Sequence, residues 1–198
     1  EKIFFVGNTM IDTMVAFENE IETSDVLSSL HVADKNFVLV TMHRPATVDS
    51  KEGLEKLYSI FQKIAERYTI VFPAHPRTKQ NMEKFGLADQ FKALPIVFTE
   101  PMDYFSFQKL IKYCTFVLTD SGGIQEECAV LGKPCLVHRK STERMDGIGE
   151  NALLSNWDQN LVRWFSSNHA QFERVAKQPE NSPSVIVVDT LKALKYVG

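Results

Sequence analysis

Phe116-Val117-Leu118-Thr119-Asp120-Ser121-Gly122-Gly123-Ile124-Gln125-Glu126-Glu127-Cys128-Ala129-Val130-Leu131 is the stretch on which the fold turns. Four apolar or β-branched residues read as a short buried strand. They run into a turn of small residues, and a helix leaves that turn with Ile124, Cys128 and Leu131 on its apolar face. Strand, tight turn and helix make up the unit from which parallel sheets are wound.

Working outward, the same alternation repeats. Upstream, strand-like runs at Phe37–Met42, Thr69–Phe72 and Ile96–Thr99 are followed by helical patterns over Lys51–Arg67, Thr78–Phe85 and Asp103–Tyr113. Downstream, Cys135–His138 reads as a fifth strand. The last third reads as helical over Trp157–Ser167, His169–Lys177 and Ser184–Tyr196, with Pro179–Pro183 as an exposed loop. Ile3–Val6 is a further strand-like run at the start. Short apolar strands alternating with helices predict an α/β fold, a Rossmann-like parallel sheet with helices on both faces. Such sheets bind ligands outside the carboxyl ends of their strands. The loops to read are therefore His43–Ser50, Ala74–Arg77, Glu100–Asp103, Asp120–Gly123 and Arg139–Asp146.

Composition bounds the function. The chain has 198 residues, 44% hydrophobic and 24% charged, with a net charge of -3. That is the mix of a globular protein, and it gives no electrostatic case for nucleic acid. No apolar run reaches the ~20 residues of a membrane helix. Cys114, Cys128 and Cys135 lack the two-residue spacing of metal or redox motifs, and their odd number argues against a disulfide framework. Reduced, buried thiols in a cytoplasmic protein are expected. Glu1 is not a methionine, and a strand-like run directly after it reads as a piece of a longer protein.

The glycine turn carries the clearest chemistry. Gly122 and Gly123 let an anion approach the backbone closely. The first amides of a helix lack internal partners and bear partial positive charge, which makes a phosphate site. Ser121 can cap the helix or donate its hydroxyl. Glu127 lies one turn beyond Gly123, roughly 6 Å along the same face, where a carboxylate can accept from two ribose hydroxyls. Glu126 points about 100° away. The turn lacks the three spaced glycines of the dinucleotide fingerprint and the Gly-Lys-Ser/Thr of the Walker turn. A serine-capped helix with a solvated glutamate pair is the other reading of the same residues.

His43-Arg44 and His75-Arg77 follow the first two strands of the alternation, and Arg144 follows the strand after the glycine helix. They place positive charge at several strand ends of an acidic chain. Solvated loop residues, and for Arg144 an ion pair with Glu143 or Asp146, are the competing readings. Asp103, Asp120, Glu143 and Asp146 show no pairing that suggests acid–base work. His169 reads as structural or exposed. Trp157 and Trp164, seven apart, read as core. Residues alone stop at a phosphate- or nucleotide-binding α/β domain.

Asp120-Ser121-Gly122-Gly123-Ile124-Gln125-Glu126-Glu127, Leu131-Gly132-Lys133-Pro134 and Thr142-Glu143-Arg144 together resemble the UDP-N-acetylglucosamine 2-epimerase family. Val6–Asp12 looks like the opening of that family's second domain, and Thr41-Met42-His43-Arg44 like its histidine–arginine loop. The order runs through essentially the whole chain, whereas the serine–glycine–glycine piece alone is shared with many glycosyltransferases. The resemblance implies half of a two-domain GT-B fold. Residues 1–198 would be the C-terminal UDP-binding domain, with a hinge near residues 1–12, a closing helix near 184–196, and the N-terminal catalytic domain outside this chain.

The implied activity is inversion at the sugar C2 of UDP-N-acetylglucosamine, by elimination of UDP to a glucal and re-addition; a hydrolysing branch releases N-acetylmannosamine. The donor-nucleotide domain of a GT-B glycosyltransferase is the alternative enzyme, and a non-catalytic nucleotide module the alternative of another class. By matching position, Ser121, Gly122 and Gly123 would hold the diphosphate and Glu127 the ribose. Phe107 matches an aromatic position near the uracil, and Met102 one that contributes backbone contacts. His43 and Arg144 would stabilise the leaving group. Arg44 and His75 match positions for a second, regulatory UDP-sugar. Two places depart from the family: Ala46 stands where a glutamate is common, and Thr-Glu-Arg-Pro-Glu reads Thr142-Glu143-Arg144-Met145-Asp146. The resemblance implies no cofactor and no metal. Its partners are a UDP-sugar, the N-terminal domain of the same protein and a second copy in a homodimer.

Overall fold

The computed structural model describes residues 3–177 and 181–196. Six parallel strands form one sheet in the order β3-β2-β1-β4-β5-β6. They span Phe37–Thr41 (β1), Thr69–Pro73 (β2), Ile96–Thr99 (β3), Phe116–Thr119 (β4), Cys135–Val137 (β5) and Ala152–Leu154 (β6). Three short helices come first, Met10–Ala16 (α1), Glu18–Thr23 (α2) and Val26–Ser29 (α3). Pro45–Val48 (α4) and Lys51–Ala65 (α5) follow β1; Pro76–Lys84 (α6) and Ala88–Lys92 (α7) follow β2. Tyr104–Tyr113 (α8), Gly122–Leu131 (α9), Gln159–Asn168 (α10) and Pro183–Ala193 (α11) complete the set.

β1 is buried at all five positions, because it lies mid-sheet under helices on both faces. The long helices start where side chains satisfy their free amides. Ser50 accepts from Gly53 N–H at α5, Asp103 from Ser106 N–H at α8, and Ser182 from Val185 N–H at α11. α9 stops at Gly132, left-handed at φ 64°. A Cβ there would stand 2.1 Å from the Arg174 carbonyl oxygen, so only glycine fits.

The sheet separates two cores. One face buries Val38, Val40, Phe72, Phe116 and Leu118 against Leu54, Leu57, Phe61 and Ile64 of α5, Phe91, and Val162 and Phe165 of α10. The other buries Phe37, Leu39, Val71, Val117 and Val137 against Leu110, Ile111 and Cys128 of α8 and α9.

Several expectations need correction. Ile3–Val6 forms no strand, and Ile3 and Phe5 are exposed; among the described residues the run finds no neighbouring strand to accept its ladder. β6 is a strand beyond the expected five; like β5 it has only three residues, too few to show a period. Trp157 is not in a helix: Asn156 and Trp157 both have positive φ, and Asp158 caps α10 one residue later. Trp157 and Trp164 are half-exposed, so neither is core. His169–Lys177 is a 3-10 turn over His169–Phe172 followed by irregular chain. His169 is structural, with its ring against Phe116 and Nε2 3.1 Å from the Tyr68 hydroxyl. Of the expected loop, Pro179 and Glu180 lie outside the described residues, as do Glu1 and Lys2 of the expected hinge.

Candidate active site

Strand order reverses between β1 and β4, and the loops leaving these two strands meet at their carboxyl ends. β4 ends at Thr119, Ser121 is the cap residue, and α9 begins at Gly122. The Ser121 side chain makes no capping bond. A Cβ on Gly123 would meet nothing nearer than the Ser121 hydroxyl at 3.9 Å, so the first turn of α9 is open from that side. At Gly122 the space is filled by the Arg144 stem, whose Cγ would stand 3.0 Å from a Cβ.

Asp120 joins the two loops. It is fully buried, and its Oδ2 accepts from the backbone N–H groups of His43 (3.0 Å) and Arg44 (2.9 Å). Its Oδ1 lies 2.9 Å from His43 Nδ1. Arg44 Nε donates to the Asp120 carbonyl at 2.7 Å. Below them the Thr41 and Thr119 hydroxyls share a 2.6 Å bond. Asp120 thus ties the His43–Arg44 backbone to the glycine turn through Oδ2, while its Oδ1 stands at ion-pair distance from the imidazole without making a hydrogen bond. His75 sits one loop further along the rim, where its Nδ1 caps α6 by accepting from Arg77 N–H. Arg77 in turn donates to the His43 carbonyl at 3.2 Å.

Arg144 pairs with neither Glu143 nor Asp146. Its Nη1 donates to Glu126 Oε1 at 2.7 Å, and Glu126 Oε2 also accepts from Asn8 Nδ2 at 3.4 Å. Glu143 is taken by Arg139 (2.6 Å), which holds its carboxyl below the ordinary range. Glu127, one turn along α9, is nine-tenths buried, and its Oε2 has no hydrogen-bond partner. Burial pushes its carboxyl above the ordinary range; Gln108 opposes this and Glu126 adds to it. The Tyr104 phenol is pushed up to about 12 by burial and by the charge of Glu127. Met102, Phe107 and Ile124 are partly buried at the margin of the core on this face.

The structure thus joins His43 and Arg44 to the glycine turn, sets Arg144 across Gly122, and leaves Glu127 with an unmet acceptor. Sequence reasoning missed Asp120, Tyr104, Gln125 and Arg139. The first had a readable signal, since in a doubly wound sheet the loops after β1 and β4 are neighbours. Among the described residues no cluster of three or more His, Cys, Asp or Glu could hold a metal, and no helix is long and apolar enough to cross a membrane.

The UDP-N-acetylglucosamine 2-epimerase family matches residues 1–183. A UDP-N-acetylglucosamine 2-epimerase of Methanocaldococcus jannaschii is 36% identical over 170 residues, covering 82% of this chain and 46% of the relative. The Salmonella typhimurium enzyme of that name is 35% identical over 161 residues, 75% of this chain and 41% of its own. The solved structure of the M. jannaschii enzyme in complex with UDP-GlcNAc and UDP superposes with a TM-score of 0.82 at 29% identity, over 99% of this chain and 55% of that one. The Staphylococcus aureus MnaA–UDP structure gives 0.75 at 26% identity, over 97% and 53%. The chain spans about half the length of the curated relatives it matches. With a family match over residues 1–183 and a relative 36% identical over 82% of its length, the chain belongs to the UDP-N-acetylglucosamine 2-epimerase family.

Proposed function

We propose that this chain is the UDP-binding half of a UDP-N-acetylglucosamine 2-epimerase that interconverts the gluco and manno forms of the UDP-sugar. The observation that carries the reading is Glu127. A buried carboxylate oxygen without a partner is costly unless a ligand supplies the donor. A ribose diol one helical turn from a bound diphosphate supplies it. Ser121, Gly122 and Gly123 then hold the diphosphate through the free amides of α9, and Phe107 and Met102 flank the base. The M. jannaschii and S. aureus structures, bound to UDP-GlcNAc and UDP or to UDP, support a UDP-sugar as the ligand.

Epimerisation removes the C2 proton and breaks the bond from C1 to UDP, so negative charge grows on the departing diphosphate. Fixed donors aimed at that charge act mainly in the transition state. Arg144 and His43, which lies beside the Asp120 carboxylate, are these donors. Arg44 and His75, on adjoining rim loops, are the positions for a second UDP-sugar that regulates the enzyme. The general base and acid come from an N-terminal domain of the same protein, across a cleft in a GT-B arrangement.

Two measurements test the reading. UDP titrated into this chain gives saturable heat that Glu127→Ala weakens; equal affinity sinks the ribose assignment. NMR of the intact protein with UDP-N-acetylglucosamine and no acceptor shows the manno epimer; absence of both epimer and glucal overturns the activity.

A further inference from the structure

Arg144 sits in a stretch that is exposed at Ser141 and from Glu143 to Asp146, yet its stem lies across Gly122. Something must hold that stretch. The side chain of Gln125, in the first turn of α9, is fully buried. Its Nε2 donates to the carbonyl oxygens of Arg144 (3.0 Å) and Asp146 (2.9 Å), and its Oε1 accepts from the Thr142 hydroxyl (3.1 Å). Thr142 Oγ1 also accepts from Arg144 N–H at 3.2 Å. Every hydrogen bond of this buried amide therefore goes to one short stretch.

We propose that Gln125 is the positioning residue for Arg144, binding the arginine loop to the helix whose N-terminus receives the diphosphate. The inference rests on the reading of Arg144 as a diphosphate donor and deepens it. Gln125 fixes the Arg144 backbone and Glu126 Oε1 holds its Nη1 at 2.7 Å, so the phosphate-binding amides and the guanidinium move as one body and the guanidinium need not be ordered when the ligand arrives. Only an amide meets the requirement. Two carbonyls need two donors and the threonine hydroxyl needs an acceptor, a set that carboxylate, thioether and alkyl side chains of similar size lack. Glutamate would set a charge against two carbonyl oxygens, and methionine would leave both without donors.

The test is a double-mutant cycle on this chain with UDP and uridine as probes, read by calorimetry. Gln125→Met is expected to weaken UDP about tenfold, the scale of a hydrogen bond to a charged group, and to leave uridine within about twofold. In an Arg144→Ala background, Gln125→Met is expected to add nothing, because the group it positions is gone. The Arg144 Nε–Hε resonance is followed in the same samples and is expected to shift or broaden in Gln125→Met. Additive losses, equal losses on UDP and uridine, or an unmoved resonance would overturn the inference. If Arg144→Ala binds UDP like wild type while Gln125→Met still moves the resonance, the diphosphate reading fails and the positioning link stands. Where Gln125→Met does not fold, Thr142→Val cuts the same tie from the exposed side. It is expected to cost UDP about threefold, non-additively with Arg144→Ala; an additive loss overturns the link.

Discussion

The two faces of the sheet are built differently. The face under α5 and α10 is closed by aromatic rings packed edge to face: Phe61 on Phe72 at 5.3 Å, Phe61 on Phe91 at 5.6 Å, Phe116 on Phe165 at 5.5 Å. The face under α8 and α9 is mostly aliphatic, holds the three free cysteines, and ends in the partly buried Met102, Phe107 and Ile124. Aromatic cores bury large areas in fixed geometry. The opposite face instead stops short at its carboxyl edge, beside a buried glutamate with an unmet acceptor. The aromatic packing lies on one face, and the proposed binding site at the edge of the other.

The largest test of that division is Phe61→Ala, which removes a fully buried ring from two aromatic pairs. It is expected to cost about 3–5 kcal/mol in urea unfolding, with UDP affinity of the folded fraction unchanged. A parallel fall in UDP affinity would break the comparison.

Glu127→Gln addresses the other face. UDP affinity is expected to fall by about 1.5–3 kcal/mol, while the protein gains stability. Because folding raises the Glu127 carboxyl above its ordinary value of 4.5, the native state binds the proton more tightly than the unfolded chain. Glu127 therefore favours folding most below that value, and the favour is lost as pH rises through the raised one. The stability gap between variant and wild type widens with rising pH across that window; a gap independent of pH contradicts the buried charge.

His138 runs the opposite way. Burial depresses its imidazole from 6.5 to about 4, and its Nδ1 is 2.8 Å from the Ser155 hydroxyl. Its contribution is present above 6.5 and is lost as pH falls toward 4. Between about pH 7 and 5 the wild type loses on the order of 1–2 kcal/mol more than His138→Asn, measured as paired unfolding curves. Identical pH profiles would place His138 in water.

The smallest effect sharpens the comparison by its absence. Cys114, Cys128 and Cys135 are fully buried, and burial pushes the Cys114 thiol up to about 12. A thiol reagent is expected to leave the native chain unmodified and to react only at the rate of unfolding; fast native labelling would mean the aliphatic face opens.

The sequence makes the frame legible because strands and helices write periodicity locally. The five expected strands, the glycine turn and Glu127 are all read from short contiguous stretches. Asp120 with His43, and Gln125 with Thr142 and Arg144, join residues 17 to 77 positions apart, which no local pattern records. Trp157 misleads for the same reason: spacing puts it with Trp164 on a helix, whereas tertiary context holds it in a left-handed turn.

The seam between β1 and β4 has a consequence for how the molecule comes to exist. β1, β2 and β3 are built from one half of the chain and β4, β5 and β6 from the other, and within the sheet the register from Val38–Phe116 to Thr41–Thr119 zips them together. Joining them closes a long loop, so this pairing is slow compared with contacts inside each half. The Asp120 bonds to His43 and Arg44 span that seam. The site is thus complete only after assembly: neither half can present the His43–Asp120 pair before the two have met, and a nucleotide engaging both loops, as proposed, would clamp a long-range joint of the fold.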